Sequence, residues 1–340
     1  MSGRFDLPEK AEIDKNQLIK DLKNMGITKG DHVAVALSFK SIGFVKGGPD
    51  AFIDALLDVV GSEGTVFMNA HTLAFPLSEI DPTYVFDPES TPPVVGLVPN
   101  VFWKRKGSIR SRHPTCSIVA SGRLARYFTD GHDERSRAYL PYERHAQVGG
   151  KYLFIGTDDR LVAVRHEAQR QAGLFIVPTT MGVQYKNLNG KVNLFFWVFP
   201  PCAKRLPEML PRLEKMGIAK RGVIGRAPSL VCSAKLLDAI TGILKENPTI
   251  DLCDDILCTS CREIERRMNL CGRIEDPRFF QRSRIIRKVL YFRNTLVLKR
   301  YDHVSFRRRP TRKRIFHPDV ILEIAIRRFM LIVSRILGSR

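Results

Sequence analysis

Three short stretches and one isolated side chain of this sequence combine residue types that could do chemistry. Residues 110–117 read Arg110-Ser111-Arg112-His113-Pro114-Thr115-Cys116-Ser117. A guanidinium can hold a phosphate through paired N–H groups, and the hydroxyls of Ser111 and Ser117 can donate to a ligand. Read alone, the same residues make an ordinary capped turn, because Ser and Pro favour turns. The second stretch is Arg165-His166-Glu167-Ala168-Gln169. An imidazole titrates near neutrality and suits a general base. On a helix Gln169 shares its face, whereas Glu167 points roughly 100° away. Here the plain alternative is a surface histidine in a charged helix. The third stretch runs from Ser38-Phe39-Lys40-Ser41-Ile42-Gly43 to Gly47-Gly48. Its glycines let backbone approach a ligand closely, and a helix opening at Pro49 offers N–H groups to phosphate. Read locally, a glycine-rich strand-to-helix turn without ligand is the simpler alternative. His71, just beyond a strand, lies where ligands collect in α/β folds or is a solvated loop histidine.

The elements that must position these groups follow from periodicity. Ile13, Leu18, Leu22 and Met25 recur at helical spacing, and Gly26 supplies a stop. Residues 32–38 read as a short buried strand, residues 49–60 as a helix ended by Gly61, and residues 65–68 as the next strand. This strand–loop–helix–strand rhythm predicts an α/β body with parallel pairing. Residues 73–95 hold five prolines and form a long loop of the kind that is often functional. A helix is expected over 94–103, a strand over 118–120 and a short helix over 123–128. A buried strand over 152–155 is followed by a helix over 162–172 that carries His166. Residues 192–198 make a further strand, and helices over 206–216 and 232–244 flank residues 217–230.

The 340 residues, 44% of them hydrophobic, suit two domains or one large domain with an appendage. The net charge of +20 is local. Residues 278–340 carry 18 Lys/Arg against Asp302, Asp319 and Glu323, which leaves 37 basic and 32 acidic side chains before them. A boundary near Asn247-Pro248 therefore divides residues 1–248 from a Cys-containing, basic, helical appendage over 249–340. Within the appendage, residues 318–337 present a broad apolar face with arginines spaced along it. That pattern fits an anionic membrane surface or a protein partner, and packing onto the body or a second subunit stays open. Nucleic acid ranks lower, because aliphatic positions are too many for a simple basic arm. No run of 18 apolar residues predicts a spanning helix, and the N-terminus lacks the apolar stretch of a secretory signal. Seven cysteines without secretory context point to a reducing cytoplasm, with the tail peripheral at the inner face of the membrane. Cys253, Cys258, Cys261 and Cys271 have spacings that partly match iron–sulfur and zinc sites. With no second Cys-x-x-Cys and no histidine among them, buried thiols are the simpler reading, and no metal is expected.

In their order and intervals these segments form a longer series. It includes Phe86-Asp87-Pro88-Glu89-Ser90-Thr91-Pro92, then Lys151-Tyr152-Leu153-Phe154-Ile155-Gly156 with His166 ten residues on, and the glycine-punctuated residues 217–227. The series resembles the aminoglycoside 3-N-acetyltransferase family over roughly residues 12–246. The resemblance implies a three-layer α/β body with a mixed, partly parallel sheet, distinct from the GNAT fold. It implies acetyl-CoA as co-substrate and a sugar amine as acceptor. Ser38, Lys40, Gly43, Gly47, Gly48, Arg110, Ser111 and Ser117 become the expected cofactor contacts. His166 becomes the base, with Gln169 and Glu167 beside it; His71, His113 and Asp87 are expected at the acceptor. Several positions depart from the family pattern. Gln169 replaces a Glu, and Ala163 replaces a Thr three residues before the base. Ala36-Leu37-Ser38 replaces His-Ser-Ser, and Asn69-Ala70-His71-Thr72 replaces a Pro-Thr-Phe-Thr-like run. These departures keep two other functions open: binding of CoA or sugar without turnover, and acetylation of an amino sugar in surface-polysaccharide synthesis.

Overall fold

The computed structural model describes residues 12–76, 79–157, 162–174, 181–197 and 209–250, together with Leu252 and Cys261. All of them belong to the unit Met1–Phe280. The basic tail, and with it the expected membrane or partner helix, lies outside the described residues. So do Cys253, Cys258 and Cys271.

The chain begins with α1 (Lys15–Asn24), whose N-terminus is capped by the Asp14 carboxylate accepting from the Gln17 amide at 2.8 Å. Then come β1 (His32–Leu37), the one-turn helix α2 (Phe39–Ile42), α3 (Gly48–Val60) and β2 (Thr65–Asn69). Gly47 caps α3 with φ 79°, and Pro49 stands in its first turn. Phe52, Ile53, Leu56, Val59 and Val60 give α3 one buried stripe, and Gly61, at φ 64°, ends it. The proline-rich excursion contributes β3 (Phe75–Pro76) and β4 (Val85–Phe86) before α4 (Leu97–Phe102). Next are β5 (Ile109–Arg110), β6 (Ile118–Gly122), α5 (Ala125–Thr129), α6 (Leu140–Gln147) and β7 (Lys151–Ile155). The chain continues through α7 (Val162–Gln171), β8 (Met181–Lys186), β9 (Val192–Trp197), α8 (Met209–Lys215), β10 (Ala219–Ile224), β11 (Ala227–Cys232) and α9 (Leu236–Glu246).

Seven strands form the main sheet in the order β10-β11-β7-β1-β2-β6-β5. The centre, β7-β1-β2, is parallel, and β11 and β6 run antiparallel to its two sides. Alternation along each strand builds two cores. Ala34, Phe67, Tyr152 and Phe154 face a core shared with α5, α6, α7, α8 and α9. Val33, Val35, Val66, Met68, Leu153 and Ile155 face the core of α1, α3 and α4. Deleting a ring such as Phe67, which is 0% exposed, costs roughly 3–5 kcal/mol in cores of this kind. The result is the expected three-layer body with a mixed sheet.

Several elements depart from the sequence expectation. Residues 217–230 hold most of the β10–β11 hairpin, whose turn is fixed by the Arg226 amide donating to the Ile42 carbonyl at 2.9 Å. The helix expected over 94–103 shortens to α4, because Pro93 and Gly96, the latter at φ 115°, hold Val94 and Val95 outside it. The expected loop over 73–95 pairs twice with β8 in a second sheet, near its start and at its middle: β3 runs antiparallel to β8, β4 parallel. Phe86, Val183 and Phe195 form the small core beneath that sheet.

Candidate active site

The parallel strands β7, β1 and β2 end together, at Ile155, Leu37 and Asn69. Beyond these ends come Gly156, Ser38 and the pair Ala70-His71. Ser38 begins the α2 turn, and its hydroxyl oxygen lies 2.9 Å from that of Ser41. Gly156, at φ 57°, packs so tightly on this turn that a Cβ added to it would stand 2.3 Å from the Ser41 Cβ. Gly43, Gly47 and Gly48 all take positive φ on the way into α3. No side chain caps α3; its Gly48 amide donates to the Val45 carbonyl at 3.0 Å, Pro49 has no N–H, and Lys40 is exposed nearby in sequence. The loop over residues 38–48 thus lies at the carboxyl edge of the sheet.

His166 sits on α7, 3% exposed. Its Nδ1 lies 2.6 Å from the Gln169 Oε1. An amide oxygen only accepts, so Nδ1 carries the proton and Nε2 keeps its lone pair. Nε2 makes no hydrogen bond among the described residues. Burial, more than any neighbouring charge, lowers the ring's pKa to about 3, and Gln169 offsets this only in part. The imidazole is therefore neutral at pH 7. Tyr139 packs against it with ring centroids 5.4 Å apart, and His71 stands on another side of Tyr139 at 6.4 Å. The Tyr142 hydroxyl donates to Asn69 Oδ1 at 2.9 Å and ties α6 to the end of β2. His166, Gln169 and His71 are the predicted residues that this edge brings together.

Other predicted residues are held by contacts within the protein. Arg110 was expected to hold a phosphate. Instead its Nε donates to Ser117 Oγ at 3.2 Å, one terminal nitrogen donates to the carbonyls of Thr91 and Pro88, and the other donates to that of Ala70 at 2.9 Å. The rings of Phe86 and Trp103 lie 5.4 and 5.2 Å from its guanidinium carbon. The cause is burial of residues 113–117, where every polar group needs a partner. Ser117 likewise donates to the Ala70 carbonyl at 2.6 Å. Ser111 accepts from the Ile118 amide at 2.9 Å and pairs with His132 Nδ1 at 2.9 Å. His113 accepts from the Cys116 amide at 3.0 Å while its ring stacks on His132 at 4.9 Å. Asp87 closes a turn by accepting from the Glu89 amide at 3.0 Å, and it meets Lys186 Nζ at 3.3 Å. The neighbouring Glu89 amide bond does most to hold the Asp87 carboxyl below its ordinary pKa.

Glu167, 1% exposed, faces away from the imidazole. Arg170 binds it through Nε and a terminal nitrogen at 2.9 and 2.5 Å, and Arg137 approaches to 3.5 Å. Burial still pushes its pKa up. Sequence reasoning missed Tyr139, Tyr142 and His132. Tyr139 and Tyr142 sit three apart at the start of α6, a spacing that could have flagged them; His132 lies in a loop without periodic signal.

A neutral, buried imidazole with one ring nitrogen unbonded, at the carboxyl edge of a mixed α/β sheet, is an arrangement suited to proton transfer in a group-transfer enzyme. The sequence comparisons carry this to a family. The model of the family described as aminoglycoside 3-N-acetyltransferase matches residues 35–244. The chain is 31% identical over 176 residues to aminoglycoside N(3)-acetyltransferase VIII of Streptomyces fradiae, covering 47% of this chain and 62% of that protein. It is 27% identical over 248 residues to aminoglycoside N(3)-acetyltransferase III of Serratia marcescens, covering 63% of this chain and 90% of that protein. Among solved structures, AAC-IIIb in its binary complex with CoASH superposes with a TM-score of 0.59 at 25% identity, covering 69% of this chain and 98% of that one. The apoenzyme of aminoglycoside acetyltransferase AAC(3)-IVa gives 0.64 at 23% identity, covering 76% of this chain and 99% of that one. The chain belongs to the aminoglycoside 3-N-acetyltransferase family.

Proposed function

We propose that this protein moves an acetyl group from acetyl-CoA to an amine of an aminoglycoside, with His166 as the base. The observation that carries this reading is the His166–Gln169 bond, which leaves an unprotonated Nε2 at the ligand-collecting edge of the sheet. The relatives named above are aminoglycoside N(3)-acetyltransferases, and one neighbouring structure holds CoASH. Here the pantetheine and pyrophosphate would lie along residues 38–48. Lys40 and the Asp50 amide in the first turn of α3 would meet phosphate, and Gly48, with nothing within 4 Å of an added Cβ, leaves room for backbone contact.

The chemistry follows from the tautomer. The acceptor arrives as an ammonium and loses a proton to His166 Nε2, directly or through a water. Its nitrogen then adds to the thioester carbon. The carbonyl electrons move onto oxygen, the nitrogen releases its second proton to solvent, the electrons return as the C–S bond breaks, and the imidazolium gives its proton to the departing sulfur. Because Gln169 replaces a carboxylate, the imidazolium gains only a neutral partner, and the base is weaker than a His–Glu pair would make it. Binding without turnover and acetylation of a surface-polysaccharide sugar gain no support from the comparisons.

The test is mass spectrometry of sisomicin, gentamicin and apramycin after incubation with acetyl-CoA and the purified chain. A gain of one acetyl group that His166→Ala abolishes, with the circular dichroism spectrum unchanged, is the expected result. Equal turnover in the variant would remove His166 from the mechanism.

A further inference from the structure

His71 is an imidazole at the carboxyl edge of the sheet that neither the turn nor the core employs. Its Nε2 is shut off from solvent and meets no hydrogen-bond partner among the described residues. Leaving such a group unpaired costs about 1–3 kcal/mol, which calls for a reason. The backbone around it is held from several directions. The Ala70 amide donates to the Ser117 carbonyl at 2.8 Å, and Arg110 and Ser117 both donate to the Ala70 carbonyl. The His71 carbonyl accepts from the Val94 amide at 2.8 Å. The ring itself stands edge-on to Tyr139 at 6.4 Å, and Tyr139 in turn lies against His166. A fixed backbone, an unpaired nitrogen and a short relay to the base describe a group preorganised for a bound ligand.

Acyl transfer needs two complementary atoms. One is a lone pair for the amine proton, which His166 Nε2 supplies. The other is a donor for the thioester oxygen, which gains negative charge as the nitrogen adds. Arg110, Ser111 and Ser117 are engaged elsewhere. We infer that His71 is a further catalytic residue whose Nε2–H donates to the acetyl oxygen as the tetrahedral intermediate forms. This rests on the acetyl-transfer reading. As the amine adds, the carbonyl π pair moves to oxygen and is held by that N–H. The added nitrogen releases its second proton to solvent; when the C–S bond breaks the pair returns, sulfur keeps the bonding electrons, and the proton on His166 passes to it. His71 ends the cycle with its own proton. Burial first, and then the Arg110 charge, lower the His71 pKa to about 4, so the ring acts as a neutral donor. The cation that repels a second proton also attracts the oxyanion.

Two measurements test this. The first is NMR of the full chain labelled with 15N-histidine, titrated with acetonyl-CoA, which keeps the carbonyl, and with S-ethyl-CoA, which lacks it. The His71 Nε2–H resonance is expected to move downfield with acetonyl-CoA alone. An identical response to both bound ligands overturns the assignment. Absence of binding by either overturns the acetyl-transfer reading beneath it, a separate and recognisable failure. The second compares His71→Phe, which keeps ring bulk without a donor, and His71→Gln, which keeps an N–H. The Phe variant should lose about 10²-fold in kcat with KM for acetyl-CoA nearly unchanged. Gln should recover about tenfold of that loss. A Phe variant as fast as the parent, or a Gln variant no better than Phe, refutes the role. If neither variant folds, the NMR comparison on the unaltered chain decides.

Discussion

His166 Nδ1 and Gln169 Oε1 are 2.6 Å apart, one helical turn along α7. The bond fixes the tautomer, yet a neutral amide does little to stabilise the imidazolium. Gln169→Glu is therefore expected to raise the His166 pKa by about one unit or more and kcat about tenfold, while Gln169→Leu lowers kcat. NMR titration of the imidazole and initial rates read both. Rates unmoved in the two variants would show that the pair has no part in turnover.

Glu167 separates structure from catalysis. Among the described residues, Glu167→Gln leaves Arg170 and Arg137 with Glu143 alone as counter-charge, and the loss of stability should be roughly 1–3 kcal/mol in chemical denaturation. The kcat should stay within about twofold of the parent. A loss of rate like that of His166→Ala, without loss of stability, would return Glu167 to the active site.

Burial lowers the pKa of His132, His145 and His166 to about 3 and of His71 to about 4, from an ordinary 6.5. Between those values the unfolded chain binds more protons than the folded one. Stability is thus fully present above pH 6.5 and falls on acidification, by about 1.4 kcal/mol per pH unit for each such ring. Thermal melts from pH 7 down to 4.5 should show a steep loss of Tm, and His132→Gln should flatten it. A Tm independent of pH over this range would mean that these rings are solvated.

Arg110→Met keeps the stem between Phe86 and Trp103 but strips donors from the carbonyls of Ala70, Thr91 and Pro88. A cost of roughly 2–4 kcal/mol is expected from denaturation curves. Full stability in the variant would contradict the clamp.

Gly156→Ala would drive a Cβ into Ser41 and push the α2 turn away from the end of β7. KM for acetyl-CoA should rise several-fold with kcat less affected. An unchanged KM would place the cofactor elsewhere.

Much of this was legible in the residues. The buried runs of β1, β2 and β7, the stripe on α3 and the spacing of His166 and Gln169 are local patterns, and they survive folding. The roles within residues 110–117 were not legible, because Arg110, Ser111 and Ser117 take partners up to 47 positions away that no local pattern announces. The β10–β11 hairpin was missed for a similar reason. Lys220, Arg221 and Gly222 break its alternation, and β10 forms because β11 offers it a register at the sheet's edge. His71 looked like any loop histidine until its unpaired Nε2 set it apart.

The proline-rich excursion returns to β8 twice, through β3 and β4. Substitutions between those two anchors leave both pairings with β8 intact. Variation along that excursion and variation around the His166–Gln169 pair can therefore proceed on separate schedules.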